Sequence, residues 1–288
     1  MYYIMEIHLI DAVKVEKSWG RELWCVSDRP GFESDVAGRD FRSFIKEFGQ
    51  DIFGYKLEGF PLLIKIIEAK EDLSLQVHPG ESGCSQDPNA QSKNEMWHVL
   101  EAGPESHILA GFRDTDLTGF FDSLQSPYCA DYLNTYSACA GDSYYIPAGT
   151  VHAIGGGTTI YEVQQNSDTT YRLSDWGRVG LDGNPRDLHI EEGKEVTLME
   201  PSQHRIPYQH SRSIQLLTEC PYFKCELIEA DEQMEIANNK AAFLTCISDS
   251  LEICLEKKIT KLSKFQTALI PYNCNSLTVR GRFIMSGF

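Results

Sequence analysis

Leu73-Ser74-Leu75-Gln76-Val77-His78-Pro79 alternates apolar and polar side chains without a break. A β-strand turns successive side chains to opposite faces, so Ser74, Gln76 and His78 share one face and Leu73, Leu75 and Val77 the other. A polar stripe aimed one way is what a pocket lined by strands requires; an exposed strand face is the competing, weaker reading when the segment stands alone. Further strand-like runs lie at Leu62–Ile67, Trp97–Leu100, Ser143–Ile146 and Thr158–Gln164, each rich in β-branched or aromatic residues and bounded by turn formers. Two segments read as helices. Asp40–Phe48 carries Phe41, Phe44, Ile45 and Phe48 on one face and stops at Gly49; a second runs from Asp114 to about Leu133, interrupted at Pro127. Few helices among many strands predict a mainly β barrel or sandwich with a small helical appendage.

The texture changes near residue 200. Pro201, Pro207 and a polar run from Gln203 to Ser213 read as a linker. Six strand-like runs follow: Ser213–Thr218, Phe223–Ile228, Ala242–Ile247, Leu251–Glu256, Thr267–Pro271 and Ser276–Phe283. The expected organisation is therefore a first domain over residues 1–200 and a smaller β-domain over 201–288.

The bulk composition excludes several function classes. Of the 288 residues, 42% are apolar and 24% charged, which is ordinary globular usage. No run of apolar residues reaches the length of a transmembrane helix, and the first residues lack the pattern of a secretory signal. Nine irregularly spaced cysteines favour free thiols and a cytoplasmic setting. A net charge of −16 argues against nucleic acid or an anionic membrane as partner. An anionic substrate would need a local cluster of basic groups, for which Lys93, Arg172, Arg178 and Arg186 are the candidates. Oligomeric state is not legible.

Three further stretches carry chemistry. In Lys93-Asn94-Glu95-Met96-Trp97-His98-Val99-Leu100 the alternation groups Lys93, Glu95 and Trp97, which makes Glu95 a candidate ligand and turns His98 away. Gly141-Asp142-Ser143-Tyr144-Tyr145-Ile146-Pro147-Ala148-Gly149-Thr150-Val151-His152 ends a strand in a Pro-x-Gly turn and sets His152 just past it. Gln76, His78, Glu95 and His152 together supply two imidazole nitrogens and two oxygens, a set suited to zinc and related divalent ions. With a single carboxylate such a site keeps a net positive charge and stays a good Lewis acid. In Tyr161–Arg178, Glu162 and Gln164 share a strand face, while Arg172 and Arg178 are fixed cations able to hold an oxyanion or phosphate.

These motifs resemble those of the type I phosphomannose isomerases, short bacterial form, within the cupin superfamily. Gly141, Pro147, Gly149 and His152 match the second cupin motif, and Gln76-x-His78 stands in the place of the first motif's His-x-His. Lys93-x-Glu95-x-Trp97, Asn166–Leu173 and Leu188–Glu191 are also family-like, and the similarity spans roughly residues 10–200. The resemblance implies a cupin (jelly-roll) barrel followed by a degenerate second copy. It implies one zinc ion held by Gln76, His78, Glu95 and His152, with Arg172 as a catalytic arginine and Glu162 in proton transfer. Ser74 and Lys93 would line the substrate pocket, and Arg178 would bind phosphate. Gly80-Glu81, His98 and Gly155-Gly156-Gly157 depart from the family pattern, none of them at an implied ligand.

The implied reaction interconverts mannose 6-phosphate and fructose 6-phosphate through an enediol. It needs a Lewis acid at O1 and O2, a base at carbon and a cation for the developing enediolate. Glu162, Lys93 and a metal-bound hydroxide are all candidates for the base; Glu162 is preferred because a partly apolar barrel makes a carboxylate a better proton acceptor. Two rival readings keep the barrel: a sugar-phosphate-binding module without catalysis, and a metal-dependent cupin oxygenase. A second metal site is not expected beyond residue 200. The only histidines there are His204 and His210, and Ile270-Pro271-Tyr272-Asn273-Cys274-Asn275-Ser276 carries no imidazole where the first copy ends in His152.

Overall fold

The computed structural model describes residues 6–85, 89–210, 212–237, 239–274 and 277–288. It divides into two compact units, neither continuous in sequence: residues 1–14, 23–65 and 209–288 form one, and 15–22 with 66–208 the other. The linear division at residue 200 differs from this because the first strand, His8–Ile10, pairs with Thr267–Ile270, His8 standing opposite Leu269. A pairing across that sequence distance leaves no local signal.

In the unit that contains the C-terminus, seven antiparallel strands form one sheet. Its path runs His8–Ile10, Thr267–Ile270, Ala242–Leu255, Leu277–Gly287, Lys224–Ile236, Ile214–Glu219, with Lys258–Ser263 added to Ala242–Leu255. The two expected runs 242–247 and 251–256 are a single strand. They read as two because its register against Leu277–Gly287 slips between Cys246 and Leu251, where Asp249 and Ser250 are exposed. The same unit holds helix α1, Phe41–Phe53, whose N-cap Asp40 accepts from the Ser43 N–H at 2.8 Å. The helix does not stop at Gly49. That glycine is buried within it, and the turn ends at Gly54, left-handed at φ 79°, whose N–H donates to the Gln50 carbonyl. A mid-helix glycine costs about 1 kcal/mol, less than is regained by burying Ile52 and Phe53 on the next turn. Phe41, Phe53 and Phe60 pack with Phe243 at ring-centroid distances from 4.9 to 6.4 Å.

The other unit is the expected β-barrel. One sheet orders Leu133–Ser137, His107–Phe112, His152–Ile154, Leu75–Val77 and Tyr171–Ser174. The second orders Arg205–Ile206, Ser143–Ile146, Glu95–Ala102 and Thr158–Gln165, and continues through residues 66–69, 20–22 and 15–17 of this unit. Trp97, Val99, Tyr144, Ile146 and Ile160 of the second sheet close on Ile108, Ala110 and Ile154 of the first in one apolar core. A second core covers the first sheet's outer face, where Leu75 and Val77 meet Phe120, Leu124, Cys129, Leu133 and Leu173. The expected helix at 114–133 is instead two short 3₁₀ turns, Phe121–Ser123 and Pro127–Tyr132. Pro127 opens the second turn rather than breaking a helix, as proline suits a first helical position. The nine cysteines are free thiols, and no helix among the described residues is long and apolar enough to cross a membrane.

Residues 209–288 share a sheet and an aromatic cluster with residues from the first 65. Truncation near residue 200 is therefore expected to give an aggregating protein with exposed strand edges. Size-exclusion chromatography of the 1–200 fragment checks this, and a monodisperse, fully active fragment would contradict it.

Candidate metal centre

Both barrel sheets send side chains to one buried cluster. Gln76 and His152 are direct cross-strand partners in the first sheet, as are Gln76 and Arg172. Cross-strand partners share a face, so these three side chains stand in a row. His78 follows the end of the Leu75–Val77 strand. In the second sheet Glu95 opposes Ile146 on one side and Gln164 on the other, while Trp97 opposes Tyr144 and Glu162. Trp97 lies in the inner core, which puts Glu95, Glu162 and Gln164 on the inward face. The Trp97 and His152 rings stand edge to face at 5.2 Å.

His78, Glu95 and His152 each offer a ligand atom, all within 4.8 Å of one another, and each is 1% exposed. Among the described residues this is the one such group of His, Cys, Asp and Glu side chains. The His78 Nε2 lies 3.2 Å from Glu95 Oε1, and His152 Nε2 lies 3.8 Å from Glu95 Oε2. The Gln76 amide reaches His152 Nε2 at 3.2 Å and accepts from Ser74 Oγ at 3.2 Å. Lys93 bridges the group, its Nζ 2.6 Å from Glu95 Oε1 and 3.2 Å from His78 Nε2.

The local chain fixes how these groups point. His78 Nδ1 donates to the Thr169 carbonyl and His152 Nδ1 to the Thr150 carbonyl, each at 2.9 Å. A carbonyl only accepts, so both Nδ1 atoms carry the proton and both Nε2 lone pairs face Glu95. The turn ahead of His152 needs glycine at 149. Its φ is +86°, and a Cβ there would stand 2.6 Å from Leu198 Cγ. The Gly149 N–H ties this turn to His78 by donating to its carbonyl at 2.8 Å.

Burial dominates the electrostatics. It pushes the His78 imidazole down, helped by the Lys93 charge, and pushes His152 down to about 3, helped by His78. Both rings are neutral near pH 7, the form that binds a cation. Burial also pushes the Glu95 carboxyl up, but the charge of Lys93 beside it outweighs this and holds Glu95 well below the usual carboxylate range. Glu95 Oε2 is buried without a hydrogen-bond partner. Two imidazole lone pairs and an unsatisfied carboxylate oxygen converging in a buried pocket are a donor set that fits a divalent metal.

The arginines form a second cluster. Asp175, 6% exposed, takes Arg186 Nε on Oδ2 and Arg178 Nη2 on Oδ1, each at 2.7 Å, with Arg186 Nη2 also on Oδ1. Arg178 Nη1 donates to the Asp72 carbonyl, so much of the side chain expected to hold phosphate is committed within the protein. Arg172 donates through Nη1 to the Asp187 carbonyl at 2.8 Å, while its Nε is buried without a partner. Burial and then the like charge of Arg186, with Arg178, hold the Arg172 guanidinium below its ordinary value despite Asp175 and Asp187. His98 lies on the opposite strand face as expected, with Nδ1 2.9 Å from Ser143 Oγ.

Four residues that shape the candidate site escape the sequence reading. Asn94 Oδ1 accepts from the Ala148 N–H at 3.0 Å, and its Nδ2 donates to Gln165 Oε1 at 2.7 Å, joining the Glu95 strand to the turn before His152. Asp175 gathers two arginines. The carbonyls of Thr150 and Thr169 orient the imidazoles, and no side-chain pattern announces a backbone carbonyl. For Asn94 the available signal was its place beside Glu95; for Asp175 it was the spacing of Asp175, Arg178 and Arg186.

Comparison with known proteins points to one family. The family description "Phosphomannose isomerase type I, catalytic domain" matches residues 8–110. Mannose-6-phosphate isomerase ManA of Bacillus subtilis is 30% identical over 272 residues, covering 90% of this chain and 86% of the relative. A mannose-6-phosphate isomerase of Streptococcus mutans is 34% identical over 63% of this chain and 59% of its own length. The crystal structure of a Bacillus subtilis mannose 6-phosphate isomerase superposes with a TM-score of 0.89 at 26% identity, covering 98% of this chain and 99% of the other. A mannose 6-phosphate isomerase structure described as bound with zinc and yttrium shares the fold, with a TM-score of 0.80 at 17% identity, over 97% of this chain and 98% of the other.

Replacing His78 or His152 with Ala is expected to remove the bound metal, whereas His98→Phe should keep it. Metal analysis of the three purified variants checks this. Full occupancy in both alanine variants would sink the assignment, and loss in His98→Phe would shift the strand register by one.

Proposed function

We propose that this chain, which belongs to the mannose-6-phosphate isomerase family, interconverts mannose 6-phosphate and fructose 6-phosphate at a zinc centre built on His78, Glu95 and His152, with Gln76 completing the ligands. The observation that carries the reading is the pair of buried imidazoles whose Nε2 atoms converge on the Glu95 carboxylate, His78 at Oε1 and His152 at Oε2, the latter oxygen buried without a partner. Nitrogen and oxygen donors without a thiolate suit a catalytic zinc, and the zinc-bound structure of the same fold supports that choice of metal. When bound, the metal supplies Lewis acidity toward the O1 and O2 oxygens of the open-chain sugar.

The chain's own residues supply the rest. Glu162, 2% exposed on the inward face, takes the proton from C2 of the aldose and returns it to C1, while the proton of the C2 hydroxyl passes to O1, so that the carbonyl moves from C1 to C2. Lys93 is less suited to that task, because its Nζ donates to Glu95 and His78; it helps hold the ligand carboxylate ionised. Arg172, in the row with Gln76 and His152, offers its guanidinium to the charge that develops on the enediolate. Arg178 and Arg186 outnumber the Asp175 they share, and with Arg172 they make the local positive field that a phosphate needs in a chain of net charge −16. Ser74 steadies the Gln76 amide. Free cysteines fit a reducing, cytoplasmic setting. Residues 209–288 we read as structural.

Two histidines and one carboxylate also fit an iron oxygenase, but the arginine cluster gives such an enzyme nothing to do. A coupled assay of fructose 6-phosphate conversion tests the proposal. Activity is expected to vanish with a chelator and return with zinc; oxygen uptake without isomerisation would overturn the reading. Arg172→Ala is expected to keep its zinc and lose about 10² to 10³ in kcat/KM, the usual effect of removing one donor aimed at developing charge. Wild-type turnover in that variant would remove Arg172 from the mechanism.

A further inference from the structure

Gln164 is buried to 1% exposure on the inward face of the Thr158–Gln165 strand, directly opposite Glu95. Its amide is oriented by chemistry. Nε2 donates to the Ser167 carbonyl at 2.7 Å and to the Gln165 carbonyl at 2.9 Å. Because a carbonyl can only accept, the alternative flip of the amide is excluded, and both N–H groups are spent on the turn that follows the strand. That leaves Oε1 as a fixed acceptor, and it is buried with no donor from the protein. Buried polar groups are otherwise satisfied almost without exception, and one left open in a native site calls for a partner from outside the chain.

The surroundings say what kind of partner. Oε1 shares a strand face with Glu95 and Glu162, two carboxyl groups. A third carboxylate at 164 would add charge to that face, whereas an amide offers an acceptor without charge. A neutral acceptor held in one orientation selects an O–H donor. On the isomerase reading, on which this inference rests, the donors that come to this face are the hydroxyls of the sugar.

We propose that Gln164 is a substrate-binding and specificity-determining residue, whose Oε1 accepts a hydrogen bond from one hydroxyl of the sugar chain beyond the reacting carbons. A site built to pair a hydroxyl rejects an analogue that lacks it, while a residue that only braces the turn does not discriminate.

The test compares wild type with Gln164→Leu and Gln164→Met, the methionine keeping closest to the original shape. Each is assayed on mannose 6-phosphate and on its analogues lacking the C3, C4 or C5 hydroxyl, alongside metal content. Wild type is expected to discriminate against one of the three analogues by about 10 to 100-fold in kcat/KM. Either variant should lose a similar factor on mannose 6-phosphate, treat that analogue and the parent alike, and keep its metal. Unchanged discrimination in a folded variant overturns the proposal, as does wild type treating all three analogues like the parent. Loss of metal also overturns it, by making Gln164 a ligand. If wild type fails to turn over mannose 6-phosphate at all, the isomerase reading itself falls, a result distinct from any behaviour of the variants.

Discussion

Taking a carboxylate out of water is costly unless cations and donors replace the solvent it loses, and Glu95 is only 1% exposed. Its strand also carries Trp97, Val99 and part of the apolar core, so the sheet cannot be shifted outward to relieve the charge. Compensation has to come from side chains that the two sheets bring inward. Lys93 reaches one oxygen at 2.6 Å, while the other oxygen is left for a further cation. A divalent cation held at this cluster would complete the compensation of the buried negative charge.

Orientation matters as much as composition. Two backbone carbonyls hold the imidazole tautomers, so neither ring has to choose a state when a cation arrives. The Gly149 turn and the Asn94 side chain tie three segments together within a few residues of the candidate ligands. The glycine run at 155–157, a departure from the family pattern, has a packing reason. A Cβ on Gly155 would stand 2.5 Å from the His107 carbonyl oxygen, and one on Gly157, at φ +77°, would stand 2.7 Å from Ser106 Oγ.

Much of this is legible in the sequence. Period-two alternation placed Gln76 with His78 and Glu95 with Trp97, and turned His98 away, because a strand flanking a core cannot slip by one residue without inverting every side chain. Pro147 and Gly149 announced the turn ahead of His152. The alternation of Glu162 and Gln164 was also visible, but the one-sided amide of Gln164 depends on carbonyls three residues away or fewer that no side-chain pattern reports. The boundary of α1 was misread because burial of Ile52 and Phe53 overrides a local glycine. The division of the chain at residue 200 was drawn from local texture, whereas the compact units depend on the pairing of His8–Ile10 with Thr267–Ile270.

One cation is expected among nitrogen and oxygen donors from both sheets, although the chain also holds nine free thiols that could bind the same ion. X-ray absorption spectroscopy of the purified, metal-loaded protein separates these directly. A shell of nitrogen and oxygen scatterers at about 2.0–2.2 Å is expected, with the multiple-scattering signature of two imidazoles. A sulfur shell at about 2.3 Å would place the metal on cysteine and contradict it.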